Sequence, residues 1–119
     1  MGLSELLVWQ WQGYPKYHQS RANLLMHIVL VPLFLVGNVG LVVGLLRLDW
    51  IEALVGIGCM AGSMVLQGRG DRSEPVPPVP FTGADNAVIR IFLEQWITFP
   101  RFVLGGGWWR ALRASGSAG

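Results

Sequence analysis

Two long apolar runs, at residues 28–46 and 50–66, dominate the pattern of hydrophobic and polar positions along the chain. The first has no charged residue, and as an α-helix it is about 28 Å long, close to the roughly 30 Å hydrocarbon core of a bilayer. The second is shorter and has Glu52 near its start, where a carboxylate can reach the interface. Only Arg47-Leu48-Asp49 connects them, so the two helices must be antiparallel neighbours. The pattern predicts an all-α integral membrane helical hairpin.

Further helices are expected on either side of this hairpin, in the interface or embedded in the membrane. Residues 1–13 form a short interfacial helix anchored by Trp9 and Trp11. Tyr14–Gln19 is a polar turn, and Ser20 is the N-cap of a helix that continues into the first apolar run.

After the hairpin the pattern becomes polar and then proline-rich. Gln67–Glu74 contains two glycines that permit tight turns, and the four prolines of Glu74–Pro80 require an extended backbone. Asp85 is the expected N-cap of a helix over 86–98.

The helix over 86–98 has a narrow polar stripe of Arg90, Glu94 and Thr98, in which Arg90 and Glu94 are spaced as an i,i+4 ion pair. Apolar residues cover most of the remaining circumference. The helix is therefore expected to lie in the interface or to cross the bilayer only partly, and Pro100 ends or bends it.

The last part of the chain carries one more aromatic pair, Trp108-Trp109, which we expect to be an interfacial anchor. Residues 113–119 are small and polar and are expected to be a disordered tail. The chain is thus predicted to be one membrane domain over residues 1–112.

Composition favours the membrane over the alternative, a soluble domain with a buried αα-hairpin. Charged residues make up 13% of the chain, about half the share in soluble domains, and hydrophobic residues make up 52%. Too little polar sequence remains to cover two such helices. The net charge of +2 is too small to indicate nucleic-acid binding, and the single cysteine, Cys59, excludes an intrachain disulfide or a cysteine metal site.

Charge and glycine spacing add an orientation and a packing mode. Of the lysines and arginines, only Arg47 lies in the connecting loop, so the positive-inside rule puts both termini in the cytoplasm. GxxxG spacings at Gly40/Gly44 and Gly58/Gly62 predict close packing of the two helices, and such glycine-rich faces also suit a homo-oligomer.

Histidines and carboxylates meet at the outer ends of the hairpin. His18 and His27 would lie on opposite faces of one continuous helix, since nine steps of 100° make a half-turn. A cap at Ser20 removes this conflict, because His18 then precedes the helix and can fold back. Beyond the second run, Asp71 and Glu74 return to the same side of the membrane.

Two histidines and one carboxylate form the ligand set of non-haem Fe(II) oxygenases, and zinc accepts similar ligands. Asn23, four residues before His27, is placed to hold its imidazole in one tautomer. The residues alone leave a simpler reading open, in which the histidines are interfacial polar residues and Asp71 pairs with Arg69 or Arg72.

At these positions the chain resembles the small membrane proteins related to the fungal 2-hydroxy fatty acid dioxygenase. The likeness covers roughly residues 14–110. It rests on three motifs: Tyr17-His18 with Asn23, His27 and Pro32; Gln67-Gly68-Arg69-Gly70 with Glu74; and Phe92–Trp96 with Phe99–Leu104. The third is similar to the closing segment of a bacterial branch, which implies a bacterial inner membrane.

The resemblance implies an Fe(II)-dependent enzyme that cleaves a 2-hydroxy fatty acid with O₂, giving CO₂ and a fatty acid one carbon shorter. It implies His18 and His27 as iron ligands and Glu74 near the metal. Our reading of the site adds Asp71 as the third metal ligand, with Glu74 and Asn23 as catalytic residues that orient the ligands.

One position departs from the family, because Asp71 stands where the family has a histidine. Asp71 replaces that ligand, or shifts the metal preference, or marks an inactive site. In the last case the chain is a non-catalytic membrane protein, either a subunit of a larger assembly or a pseudo-enzyme.

Overall fold

The computed structural model describes residues 2–118, with side chains through Gly116. These residues form helices and connections without any β-strand, so the all-α prediction is confirmed for the part of the chain described. The elements are α1 (Leu3–Tyr17), α2 (Arg21–Leu46), α3 (Trp50–Arg72), α4 (Ala84–Leu93), a π-helical turn (Glu94–Thr98), α5 (Phe99–Leu104) and α6 (Gly107–Ala118).

Helices α2 and α3 form the predicted hairpin, and both of their starts are capped. The Ser20 hydroxyl accepts from the Asn23 N–H at 3.4 Å, and the Asp49 carboxylate accepts from the Glu52 N–H at 3.1 Å. The three-residue connection holds Leu48 in the left-handed region, with φ of 55°. A short connection and two caps thus define where the helices reverse.

Small residues let the two helices approach closely. A Cβ on Gly56 would lie 2.6 Å from the carbonyl oxygen of Gly37, and one on Gly44 would lie 2.5 Å from the backbone nitrogen of Ala53. Since these neighbours are backbone atoms, no side-chain rotation could make room. Glycine at these positions is what allows the contact.

The two predicted GxxxG pairs differ in outcome. Gly40 and Gly44 face α3, as predicted. Gly58 and Gly62 do not face α2, because a Cβ on either would meet nothing within 4 Å, so that part of the prediction is wrong. Whether glycine-rich faces also join two copies of the chain stays a prediction.

Both hairpin helices are long and apolar enough to cross a membrane. Only 28% of the most apolar stretch of α2 and 22% of that of α3 is buried inside the protein. Large apolar side chains such as Val36 and Ile51 are instead exposed, at 66% and 77%. The hairpin therefore presents an apolar outer surface, unlike the core helix of a soluble domain.

The remaining helices pack around the first half of α2. They form an apolar cluster of Tyr14, Leu24, Val31, Phe99, Phe102 and Leu112, with Trp11 and Trp108 packed against it. The indole N–H of Trp108 donates to the Leu24 carbonyl at 2.9 Å. Two of the expected interfacial tryptophans are thus partly buried, whereas Trp109 is 60% exposed.

Several segments predicted as turns or tails are helical. Helix α1 continues to Tyr17 and α3 to Arg72, so much of Tyr14–Gln19 and of Gln67–Glu74 is helix. Apolar contacts made by the same helices offset the weak helix propensity of Gly68 and Gly70. Gly83, not Asp85, occupies the N-cap of α4. Helix α6 includes residues 113–118 of the expected tail, and Gly119 lies outside the described residues.

The helix predicted over 86–98 begins at Ala84 and continues past Pro100 to Leu104, with one π-helical turn inside it. The Phe99 N–H donates to the Glu94 carbonyl, five residues back. Proline has no N–H to donate to the preceding turn, so the backbone there is free to widen. Thr98 is buried and the Glu94 side chain is only 17% exposed, and the predicted Arg90–Glu94 ion pair does not form among the described residues.

Candidate metal centre

Two buried histidines face each other at the open end of the hairpin. His18 follows α1 and its Nδ1 lies 2.9 Å from the Tyr14 carbonyl, while His27 in α2 has its Nδ1 3.1 Å from the Asn23 carbonyl. Because a carbonyl oxygen only accepts, each Nδ1 carries the hydrogen and each neutral ring has its lone pair on Nε2. Both Nε2 atoms are buried and have no hydrogen-bond partner. Two free imidazole lone pairs therefore point into one space.

Asp71, on the last turn of α3, completes the predicted set. Its Oδ1 lies 3.7 Å from His18 Nε2 and 3.6 Å from His27 Nε2. One donor atom from each of the three residues lies within 4.8 Å of the others, so the group could hold a metal ion. Donors about 2.1 Å from one tetrahedral ion are about 3.4 Å apart, close to these separations. The structure thus brings together His18, His27 and Asp71 as the sequence predicted.

Glu94, the first residue of the π-helical turn, also enters the site. Its Oε2 lies 3.4 Å from His18 Nε2 and 3.7 Å from His27 Nε2, and it accepts a hydrogen bond from the Tyr14 hydroxyl at 2.8 Å. Burial disfavours the charged carboxylate, but His18, His27 and the Tyr14 hydroxyl together lower the pKa of Glu94 to about 2. Glu94 is therefore a charged group inside the protein.

The Glu94 charge shifts the pKa values of Tyr14 and His18. Burial, and then the neighbouring Glu94 carboxylate, raise the pKa of the Tyr14 phenol well above its usual value. Burial lowers the pKa of His18, but the Glu94 carboxylate outweighs it and the net pKa is raised. The rings of Tyr14 and His18 are stacked with centroids 3.8 Å apart. Tyr14 thus contacts His18 through its ring and its carbonyl, and Glu94 through its hydroxyl.

Glu94 was missed at the sequence level because it was assigned to an i,i+4 ion pair with Arg90. The Arg90 guanidinium instead donates to the carbonyls of Val79 and Pro80 and lies over the rings of Trp9 and Phe81. The available signal was Glu94-Gln95 with Thr98, a polar group just before a proline in an otherwise apolar helix.

Asn23 supports the site, although not in the way predicted. Its backbone carbonyl, not its side chain, fixes the His27 ring. The side-chain Nδ2 donates to Asp71 Oδ1 at 3.2 Å and to Glu74 Oε2 at 2.7 Å. Its buried Oδ1 lies against Gly70, where a Cβ would clash with it. Asn23 therefore positions both a histidine and a carboxylate.

Glu74 supports the fold around the site and does not lie in the position of a metal ligand. Its carboxylate accepts from the backbone N–H groups of Gln19 at 2.6 Å and Ser20 at 3.0 Å, and from Asn23. A carboxylate at the start of a helix is stabilised by those N–H groups and by the helix dipole. Glu74 thus joins the end of α3 to the start of α2, and its carboxylate shares the Asn23 amide with Asp71.

A second layer of buried polar side chains continues from the site into the hairpin. The amides of Gln67 and Gln95 bond to each other in both directions at 2.8–2.9 Å, and Gln67 also donates to the Ser63 hydroxyl at 2.9 Å. The Ser63 hydroxyl donates to the Leu30 carbonyl. This network ties the π-helical turn to both hairpin helices.

A cavity of about 420 Å³ opens directly beside the centre. Residues of α1, α3, α4 and 78–81 of the proline-rich segment line it, and so do His18, Asp71 and Glu94 of the centre. Arg72 and Arg90 also line it, whereas most of the wall is apolar. A second cavity, of about 780 Å³, lies between α1 and the α5–α6 region and also reaches His18.

Comparisons of the chain with protein-family models, with curated proteins and with solved structures found no match. The resemblance to 2-hydroxy fatty acid dioxygenases therefore stays a prediction. What can be said of the site comes from its own geometry.

Proposed function

We propose that this chain is an integral membrane dioxygenase in which His18, His27 and Asp71 bind Fe(II) and which shortens 2-hydroxy fatty acids by one carbon. The observation that carries the proposal is the pair of buried, unpartnered Nε2 atoms that converge with a carboxylate beside a largely apolar cavity. Leaving such nitrogens without a partner costs free energy, which a bound ion would offset.

A membrane location is supported by the distribution of polarity. Polar side chains such as Gln67, Gln95 and Thr98 are buried, whereas Phe92, Trp96 and Ile97 on the α4–π-turn segment are 39–46% exposed. This is the reverse of a soluble helix and matches a helix with lipid around it. Both termini would lie on the cytoplasmic side of a bacterial inner membrane, with the centre near that interface.

The ligand residues have distinct tasks. The Tyr14 and Asn23 carbonyls keep the hydrogen of His18 and His27 on Nδ1, so that both Nε2 lone pairs remain available. Asn23 Nδ2 orients the Asp71 carboxylate. Bound Fe(II) would supply the ability to engage O₂, which amino-acid side chains lack.

The cavity fits an amphiphile with an acidic head. Arg72 lines the cavity within one turn of Asp71, so its guanidinium could neutralise a carboxylate held near the centre, while Arg69 is not among the lining residues. The acyl chain would lie against the apolar walls. The overall reaction consumes one 2-hydroxy acid and one O₂ and gives the shorter fatty acid, CO₂ and water.

The direct test is anaerobic purification with Fe(II), followed by measurement of bound metal and of O₂-dependent chain shortening. Stoichiometric iron and a fatty acid one carbon shorter are expected. Bound iron without product would overturn the dioxygenase activity and favour the alternative, a non-catalytic subunit or a pseudo-enzyme that binds metal. If neither bound metal nor product is detected, the proposal is overturned. His18→Ala is the matched inactive control.

A further inference from the structure

We propose that Glu94, the first residue of the π-helical turn, is a fourth metal ligand. This inference rests on the metal site of the proposed function and extends its ligand set. Glu94 Oε2 is 3.4 Å from His18 Nε2 and 3.7 Å from His27 Nε2, which matches the separations of 3.6–3.7 Å made by Asp71 Oδ1. Each carboxylate thus bears the same relation to both histidines.

The contacts between Glu94 and the two histidines contain no hydrogen bond, which distinguishes a metal ligand from a residue that only supports the fold. Neither His18 Nε2 nor His27 Nε2 has a hydrogen-bond partner, although Glu94 Oε2 is within 3.7 Å of both. With the hydrogen on Nδ1, the Nε2 lone pair of each ring and the Glu94 carboxylate oxygen face the same space. Two donor nitrogens and an anionic oxygen in this arrangement suit a shared cation, which would attract all three.

Charge balance points the same way. With two neutral histidines and Asp71 alone, a divalent ion would leave one uncompensated positive charge in a buried site. Glu94 supplies the second negative charge and makes the centre neutral, which lowers the cost of burying the ion. The Tyr14 hydroxyl, 2.8 Å away, holds the Glu94 carboxylate in this orientation.

The fourth ligand also changes what metal binding does to the fold. His18, His27 and Asp71 belong to the end of α1 and to the hairpin, but Glu94 belongs to the segment that begins after the proline-rich stretch. An ion held by all four would fasten this segment to the hairpin. Metal binding should then stabilise the packing of α4 and α5 as well as the centre itself.

The test uses Co(II) as the probe on the full-length protein in detergent, after metal removal with a chelator. Co(II) affinity and the intensity and position of its visible absorption are measured for wild type, Glu94→Gln, Tyr14→Phe and Glu52→Gln. The Glu94→Gln variant should bind at least about 10-fold more weakly and show an altered absorption spectrum. Tyr14→Phe should weaken binding less and keep the wild-type spectrum, and Glu52→Gln at the far end of the hairpin should match wild type.

The outcomes separate the two proposals. If wild type binds Co(II) and Glu94→Gln binds it with the same affinity and spectrum, Glu94 is not a ligand and the three-residue site stands. If wild type binds no Co(II), the metal site itself fails, and this inference with it. If Glu94→Gln does not fold, Glu94→Asp takes its place, because aspartate keeps the charge on a shorter side chain. An unchanged Co(II) spectrum for Glu94→Asp would equally contradict the inference.

Discussion

The two halves of the helical hairpin differ in what lies between the two helices. In the closed half, next to the connection at 47–49, Gly44 and Gly56 let the helix backbones touch and the outer surface is apolar. In the open half, Asn23, His27 and Gln67 are almost fully buried. The same pair of helices is thus a close backbone contact at one end and an enclosed polar site at the other.

The difference lies in how completely the polar groups are satisfied. Among the described side chains, the buried nitrogens and oxygens without a hydrogen-bond partner are His18 Nε2, Asn23 Oδ1, His27 Nε2 and Arg90 Nε, all in the open half or in the helices packed around it. Each such atom costs about 1–3 kcal/mol. Packing stabilises the closed half. The unpartnered polar atoms destabilise the open half, and a bound ligand could offset that loss of free energy.

The largest effect is expected from removing a ligand in the open half. His27→Ala should reduce Co(II) affinity by more than about 100-fold, because it deletes one donor nitrogen and leaves the ion with an incomplete set of ligands. A metal titration in detergent measures this. Glu52→Gln, in the closed half, should bind as wild type does, and His27→Ala with wild-type affinity would show that the ion is held elsewhere.

A smaller loss is expected when a supporting residue is changed. Asn23→Ala removes the amide that holds Asp71 and Glu74, and we expect a 10–100-fold loss of Co(II) affinity, about 1.4–2.7 kcal/mol, with the ligands all present. The same titration applies, with the exposed Gln19→Ala as control. An unchanged affinity would mean that Asp71 is positioned without Asn23.

The closed half can be tested through its packing. Gly56→Ala places a Cβ against the backbone of Gly37 and should lower the free energy of unfolding by about 1–3 kcal/mol. Gly58→Ala, on the same helix with nothing within 4 Å, should be neutral or stabilising by up to about 1 kcal/mol. Denaturation in mixed detergent micelles compares them, and equal destabilisation of both would disprove the asymmetry.

The smallest effect concerns the connection between the helices. Leu48 has a φ of 55°, which costs a side-chain-bearing residue about 1–2 kcal/mol and glycine almost nothing. Leu48→Gly should therefore raise the unfolding free energy by roughly 0.5–1 kcal/mol, after the greater chain entropy of glycine is included. Co(II) affinity should not change. A loss of stability would indicate that the exposed Leu48 side chain makes contacts beyond this chain.

Much of this fold was accessible from the sequence. The apolar runs, the connection at 47–49 and the cap at Ser20 were predicted, and the meeting of His18, His27 and Asp71 followed from them. These features depend on local chemistry: helix length, capping side chains and a loop too short for anything but an antiparallel return. These signals can be read from the sequence because they do not depend on which other segments of the chain pack nearby.

The faces of the helices were harder to predict. Gly58 and Gly62 have the same spacing as Gly40 and Gly44, yet only the latter pair faces the partner helix. Helices that are apolar nearly all round carry little information about which side packs. Glu94 was misplaced for a related reason, since it was paired with Arg90 on its own helix and its contacts with other helices could not be read from the pattern.

The sequence by itself determined the hairpin, because a membrane-length apolar run and a capped three-residue connection leave one local solution. It also determined three candidate ligands, because capping at Ser20 frees His18 from the helix. Only the tertiary structure decided that Glu94 joins them. Glu94 reaches the histidines because α4 and the π-helical turn pack against α1 and α2, and the periodicity of a single helix cannot reveal which neighbours it packs against.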